Sequence, residues 1–234
     1  MKAKKQTVPA LVPVEEQPYP VPGNWQWMYM DNLVTVIRGV SYKKEDAHKN
    51  KQENDVLILR GGNIKEGYID TDTDNIYVNA GLVSKNQYIQ KNDVIIVAST
   101  GSKEVIGRAG IVESDYNDVA FGAFLMLIRP LVTTNQRFID LYFQSIDYRN
   151  RIRDLAAGIN INNIRSEHIT KTAIPLPPLP EQQRIVDRIE SIFAKLDAAR
   201  EKAQAVVDGY ESRRGGVRSR QRPLALSPAP RPAS

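Results

Sequence analysis

Cysteine is absent from all 234 residues, which removes any disulfide framework and any thiolate metal site and fits a reducing compartment. Histidine is almost as scarce: His48 and His168 stand alone, each read as a surface or capping residue, and neither belongs to a His-Glu-x-x-His pair. No G-x-x-x-x-G-K-[ST] phosphate loop occurs, nor a G-x-G-x-x-G turn after a strand, so the common nucleotide folds have no foothold. Asp70, Asp72 and Asp74 resemble the start of a calcium loop, but Asn75 stands where the loop needs glycine and Gly81 where it needs glutamate. A solvated hairpin is the expectation there, with no metal and no cofactor anywhere in the chain. No apolar run approaches the roughly 20 residues of a membrane span. The basic start, Lys2, Lys4 and Lys5, is followed by Pro9, Pro13, Glu15 and Glu16 too soon for a signal peptide. A soluble, cytoplasmic protein without membrane association is expected.

The net charge of +5 is unevenly spread. Residues 1–23 carry +1, the stretch 181–208 carries −1, and residues 24–180 hold 18 bases against 18 acids. The excess lies in residues 209–234, where six arginines face Glu211 alone. This Arg/Pro/Ser/Ala-rich tail has two readings, a disordered basic arm that touches nucleic acid or a non-native end foreign to the rest of the chain.

Residues 1–23 are proline-rich and expected to be extended. Beyond them, short apolar runs at Leu33–Ile37, Val56–Arg60, Ile76–Val78, Val94–Ala98 and Phe121–Ile128 alternate with turn signals such as Gly61-Gly62-Asn63, Asn92-Asp93 and Thr100-Gly101-Ser102. Helical spacing then takes over from Gln136 to Leu155, through Phe138, Leu141, Tyr142, Ile146, Ile152 and Leu155, and reads as one helix ended by Gly158. No alternation of strand and helix appears, which argues against a parallel doubly wound sheet. The expected class is α+β: a body of short, mostly antiparallel strands with helices over residues 24–173, then a long helix.

From Ile174 to Tyr210 the chain runs from a proline-rich segment into a heptad seam. Pro175, Pro177, Pro178 and Pro180 predict a stiff polyproline-like strut. Apolar residues then recur at Ile185, Ile189, Ile192, Leu196, Ala199, Ala203, Val206 and Tyr210, a 4-3-4-3 spacing that belongs to a coiled coil. Ile185, Ile189, Ile192 and Leu196 are the expected helix-packing residues. Two partners remain open for the seam, the chain's own core or a helix from elsewhere.

Three polar clusters are candidates for binding. Ser99, Thr100, Ser102, Lys103 and Arg108 sit among glycines after an apolar run, which lets amides and side chains come close to phosphates or base edges; a tight hairpin is the alternative. Asn160, Asn162 and Asn163 alternate with isoleucine, and asparagine amides can pair bidentately with adenine, although a capping turn would use the same residues. Lys43 and Lys44 form part of a third cluster that Glu45 and Asp46 partly offset.

Taken together, PGNWQWMYMDNLVTVIRG, NDVIIVASTGSKEVIGRAG with FGAFLMLIRP, and above all AAGININNIRSEHITKTAIPLPPLPEQQRIVDRIESIFAKLD resemble the DNA specificity subunit of type I restriction–modification systems. The likeness covers roughly residues 20–210. It implies a target recognition domain joined to a long conserved helix, non-catalytic, with double-stranded DNA and the methyltransferase and restriction subunits as partners. Family members usually carry two such units with their helices antiparallel. One unit here implies a half-subunit forming a homodimer through the helix, or a truncated product. At 1.5 Å per residue the 28 residues from Glu181 to Asp208 would span about 42 Å, roughly 12 base pairs of duplex. Two other readings stay open. A fused adenine methyltransferase fragment would need an Asn/Asp-Pro-Pro-Tyr/Phe loop, where the chain has Leu176-Pro177-Pro178-Leu179. A decoy competing with an intact specificity subunit would need only the seam and the body.

Overall fold

The structure is a computed structural model that describes residues 11–158 and 163–218. Two compact units divide at Val186 and Asp187. In the first, the strands are β1 (Gln26–Tyr29), β2 (Val34–Arg38), β3 (Asp55–Leu59), β4 (Gly67–Tyr68), β5 (Tyr77–Asn79), β6 (Val94–Val97), β7 (Ala109–Ile111), β8 (Val119–Phe121), β9 (Leu125–Pro130) and β10 (Ala173–Leu176). Helices α1 (Gln136–Gln144), α2 (Ile146–Gly158) and α3 (Ser166–Thr170) lie between β9 and β10, and α4 (Leu179–Arg218) begins in this unit and continues through the second.

The strands form a five-stranded sheet in the order β2-β9-β6-β7-β4, a three-stranded sheet β5-β3-β8 and the pair β1-β10. All pairs are antiparallel except β3 with β8 and β4 with β7. The α+β class expected from the sequence is therefore the one observed.

The apolar runs owe their lack of alternation to burial on both faces. Side chains leave a strand with period two, and β6 divides accordingly: Val94 and Ile96 pack with residues of α1 and α2, whereas Ile95 and Val97 pack with the β3–β8 side. Strand β9 repeats the split with Met126 and Ile128 against Leu125 and Leu127. Strand β3 does the same one layer further out, sending Leu57 and Leu59 inward and Val56 and Ile58 to a third cluster with Val40 and Val78. Three apolar layers thus follow from three strands that have no polar face.

Two expectations are corrected. The helical stretch from Gln136 is two helices, because Ser145 is extended (φ −74°, ψ 157°) and its hydroxyl donates to the Tyr142 carbonyl at 2.7 Å while accepting from the Tyr148 amide at 3.2 Å. That serine ends one helix and starts the next. The break brings Tyr142, Phe143 and Tyr148 into edge-on contact, with ring centroids 5.0 Å apart for Phe143 and Tyr148. The start of the proline segment, in turn, is a strand rather than a free strut: Ala173–Leu176 form β10, paired with β1 from Gln26↔Leu176 to Tyr29↔Ala173, and Pro180 already lies in α4. Pro175 fits because a two-stranded pair leaves an outer edge where no amide is required.

The N-terminal residues add to that pair: Leu11 bridges Met28, the Val12 amide donates to the Trp27 carbonyl at 2.9 Å, and the Trp27 indole donates to the Tyr19 carbonyl at 3.1 Å. The aspartates at 70–74 build a turn. Asp70 accepts from the amides of Asp72 and Thr73 and from the Thr73 hydroxyl, and Asp74 pairs with Arg60. His48 pairs with Asp55, and His168 Nδ1 accepts from the Arg165 amide at 3.2 Å, closing the N-terminal turn of α3.

Among the described residues, Asp140 is a buried carboxyl with little compensation. It is 1% exposed, neither carboxylate oxygen has a hydrogen bond, and the Arg137 guanidinium stands 3.7 Å away, too far to supply one. Burial, aided by the nearby Asp93, pushes its pKa up to about 7 from an ordinary 3.8. The folded state therefore holds a proton that the unfolded chain releases, so this group's contribution to stability is fully present below about pH 3.8 and is lost as pH rises through about 7. Asp140→Asn removes the titration, and any fixed cost of the amide cancels between two pH values. Its stability relative to the parent should be about 2 kcal/mol more favourable at pH 8 than at pH 5, read from urea midpoints.

Candidate nucleic-acid interface

Strand register gathers several loops at one rim. Arg38 lies opposite Met126, Val97 opposite Leu125 and Leu59 beside Phe121, so the C-terminal ends of β2, β3, β6 and β8 meet the N-terminal end of β9. Gly61, Gly62, Ser99, Thr100, Gly101, Val105, Arg108 and Phe124 line an open depression of about 700 Å³ there.

The β6–β7 loop is held from both sides. The amides of Ala98 and Ser99 both donate to the Phe124 carbonyl, at 2.9 and 3.0 Å. The Ile164 amide donates to the Ala98 carbonyl at 2.6 Å, and Asn163 bridges Ser99. At the far end, the buried Tyr148 hydroxyl donates to the Gly107 carbonyl at 2.9 Å, and Arg149 donates to the carbonyls of Ile106 and Glu104. Complete burial pushes the Tyr148 hydroxyl pKa far above its usual value, so it remains a donor. Gly107 has φ +71°, and a Cβ there would lie 2.5 Å from Ile152 of α2.

Arg108 carries the rim's best-placed charge. Its Nη1 donates to the Ile64 carbonyl at 3.4 Å and its buried Nε has no partner, so the guanidinium is half anchored and keeps its charge for an incoming anion. Ser102 braces the loop, its amide donating to Thr100 Oγ1 and its hydroxyl accepting from the Glu104 amide, each at 3.3 Å. Lys103 is exposed on the same loop.

Of the residues singled out from sequence, Ser99, Thr100, Arg108 and Asn163 come together, with Ser102 and Lys103 on the shared loop. Lys43 and Lys44 belong to a separate helical turn, Lys43 facing Glu45 at 3.7 Å. Asn160 and Asn162 lie outside the described residues.

Sequence reading missed Gly61, Gly62 and Phe124. Phe124 fell inside an apolar run taken as strand, yet the Leu125 amide donates to the Gly122 carbonyl at 2.9 Å and closes a turn that leaves the ring 71% exposed. The small pair Gly122-Ala123 was the available signal. Gly39 packs so tightly on this turn that a Cβ would sit 2.1 Å from the Gly122 oxygen. A backbone clamped on two sides thus presents one aromatic ring beside hydroxyls, glycine backbone and a guanidinium, a set that can stack on a base and hold a phosphate.

The family model described as the type I restriction modification DNA specificity domain matches residues 22–206. The chain belongs to that family. Over 186 residues it is 34% identical to the StySPI specificity subunit of Salmonella potsdam and to the EcoKI specificity subunit of Escherichia coli K12, an alignment covering 80% of this chain and 40% of each relative. This specificity domain therefore spans about 40% of the length of those curated relatives.

Two solved structures share its fold. An HsdS subunit from Thermoanaerobacter tengcongensis gives a TM-score of 0.58 at 18% identity, over 78% of this chain and 40% of that one. A chain from a structural study of complex assembly and conformational transition in the type I R-M system gives 0.61 at 20% identity, over 85% and 45%.

The loop of the specificity domain depends on Gly107. Gly107→Ala places a side chain at positive φ against Ile152 and should cost about 3 kcal/mol in urea unfolding. Amides from residue 99 to 106 should also lose hydrogen-exchange protection by more than the global change accounts for.

Proposed function

We propose that this chain reads a DNA sequence on behalf of a type I restriction–modification complex, with methyl transfer and cleavage performed by partner subunits. The observation that carries the reading is the rim at which Ser99, Thr100, Arg108, Asn163 and the exposed Phe124 converge, on a chain whose family is named for DNA specificity. Glycine backbone at Gly61 and Gly62 admits close approach. Arg108 meets phosphate or a guanine edge, the hydroxyls of Ser99 and Thr100 bond to base or phosphate, and Phe124 stacks on a base or a thymine methyl.

The seam of α4 supplies the second part of the proposal. Ile192 and Leu196 are 44% and 58% exposed and Phe193 55%, which is the surface a second, similar helix would bury. A second copy of this chain, its helix antiparallel to the first, is the partner we assign to it, and a two-fold arrangement would mirror itself in an interrupted palindrome.

The test is reconstitution with the cognate methyltransferase subunit followed by mapping of methylated sites. Methylation at one bipartite motif is expected, with two-fold related halves. Methylation without sequence preference would overturn the recognition role, and an asymmetric bipartite motif would remove the homodimer. Phe124→Ala is expected to leave thermal stability unchanged, because the ring is already solvated, while weakening specific DNA binding by the complex roughly tenfold, the lower part of the range for losing one stacked base.

A further inference from the structure

Glu181, Gln182 and Gln183, the third to fifth residues of α4, bond to Asn24, Asn135 and Pro177 of the first unit. Glu181 Oε2 accepts from the Asn24 side chain at 3.1 Å. Gln182, 2% exposed, uses both ends of its amide: Oε1 accepts from the Asn135 backbone amide at 2.9 Å and Nε2 donates to the Pro177 carbonyl at 2.8 Å. Gln183 Oε1 accepts from the Asn135 side chain at 2.7 Å. Asn135 is itself pinned, because its Oδ1 caps α1 through the Phe138 amide at 3.1 Å. Val186, one turn on, is 2% exposed.

Gln182 stands where the 4-3 spacing, continued backwards from Ile189 and Ile185, calls for an apolar residue. An aliphatic side chain there would be buried as well, but apolar contact tolerates rotation and sliding. A buried amide with two directional bonds accepts one azimuth, as single polar residues do at coiled-coil seams, where they select register.

We propose that Gln182 is a positioning residue for target spacing: by locking the rotation and tilt of the first turns of α4 it restricts the complex to one separation between the two parts of its DNA site. The inference rests on the recognition role proposed above. Its leverage is geometric. A tilt of about 4° at the base of a helix of 40 residues, about 60 Å long at 1.5 Å per residue, displaces its far end by about 4 Å, which is roughly one base-pair step.

The test uses the full chain reconstituted with its methyltransferase subunit, on duplexes that keep the mapped half-sites and vary the spacer by one and two base pairs either way. The parent should prefer one spacer at least thirtyfold. Gln182→Leu keeps the volume, loses both bonds, and should reduce that preference to less than about fivefold with the half-site sequences unchanged. Asn135→Ser, which retains the α1 cap and the backbone donor but removes the bond to Gln183, should fall between.

A second measurement is independent of DNA. Because the chain has no cysteine, Glu53→Cys with Arg184→Cys gives two unique spin-label sites within the first unit, and dilution with unlabelled chain isolates the intramolecular distance. The parent distribution should be narrow and Gln182→Leu should broaden it at least twofold. Unchanged spacer preference, equal loss of activity at every spacer, or a parent distribution as broad as the variant's would each overturn the proposal. If Gln182→Leu does not fold, Gln182→Glu, which keeps the acceptor and loses the donor, is judged by the same readings. A parent complex that methylates nothing sequence-specifically would overturn the recognition role instead, leaving the spin-label widths to judge the lock.

Discussion

The antiparallel pairing of β1 with β10 is the constraint on which the other arrangements depend. It joins residues as far as 150 positions apart at the register Gln26↔Leu176, so the start of the body and its last strand are one ladder. Everything between them must close into a compact unit, and the residues after Leu176 must leave from a defined point. Ile174, 1% exposed, drives β10 into the core with α1 and α2, and the Met30 amide donates to the Thr172 carbonyl to extend the pairing. Pro177 and Pro178 then follow with little conformational freedom, and the Pro178 carbonyl accepts from the amides of Glu181 and Gln182 to start α4. The prolines matter less as a spacer than as a stiff continuation of a strand.

The strands that could be read from the sequence were those with enough apolar side chain to announce themselves. Strands β3, β6 and β9 are buried on both faces, and their runs are unbroken. Strand β7 is Ala109-Gly110-Ile111, where a Cβ on Gly110 would lie 2.6 Å from the Tyr68 oxygen; the close approach that makes it a strand partner also removes its side-chain signal. Strand β4 has two residues, and β10 is disguised by Pro175. The break at Ser145 escaped notice because Ile146 continues the helical spacing, yet Ile146 is 65% exposed. Its apparent place on the apolar face was a coincidence of phase.

The candidate site was legible to the extent that it is chemical and illegible where it is topological. Hydroxyls, glycines and a base after a buried strand marked Ser99, Thr100 and Arg108. Nothing local joined them to Gly61 and Gly62, because that neighbourhood is created by β3 and β6 ending at the same rim. Phe124 shows the converse error: hydrophobicity argued for burial, and a four-residue turn overrode it.

Charge is distributed in a way that bears on how such a body could discriminate. Residues 24–180 are neutral as a whole, and several of their bases are engaged: Arg129 binds Asp93 through two nitrogens, at 2.8 and 2.7 Å, while Lys51 and Arg60 pair with Asp118 and Asp74. Arg108 instead donates to a carbonyl, which holds the guanidinium without neutralising it. A surface of this kind offers little of the diffuse attraction that binds any duplex, so under the proposed function its affinity would have to come from a few contacts that require the correct sequence at the correct place. That reading shifts the burden from the strength of each contact to its position, on which two observed clamps bear: the Phe124 carbonyl holding Ala98 and Ser99 at the rim, and the Gln182 side-chain amide bonded to the Asn135 amide and the Pro177 carbonyl at the start of the helix.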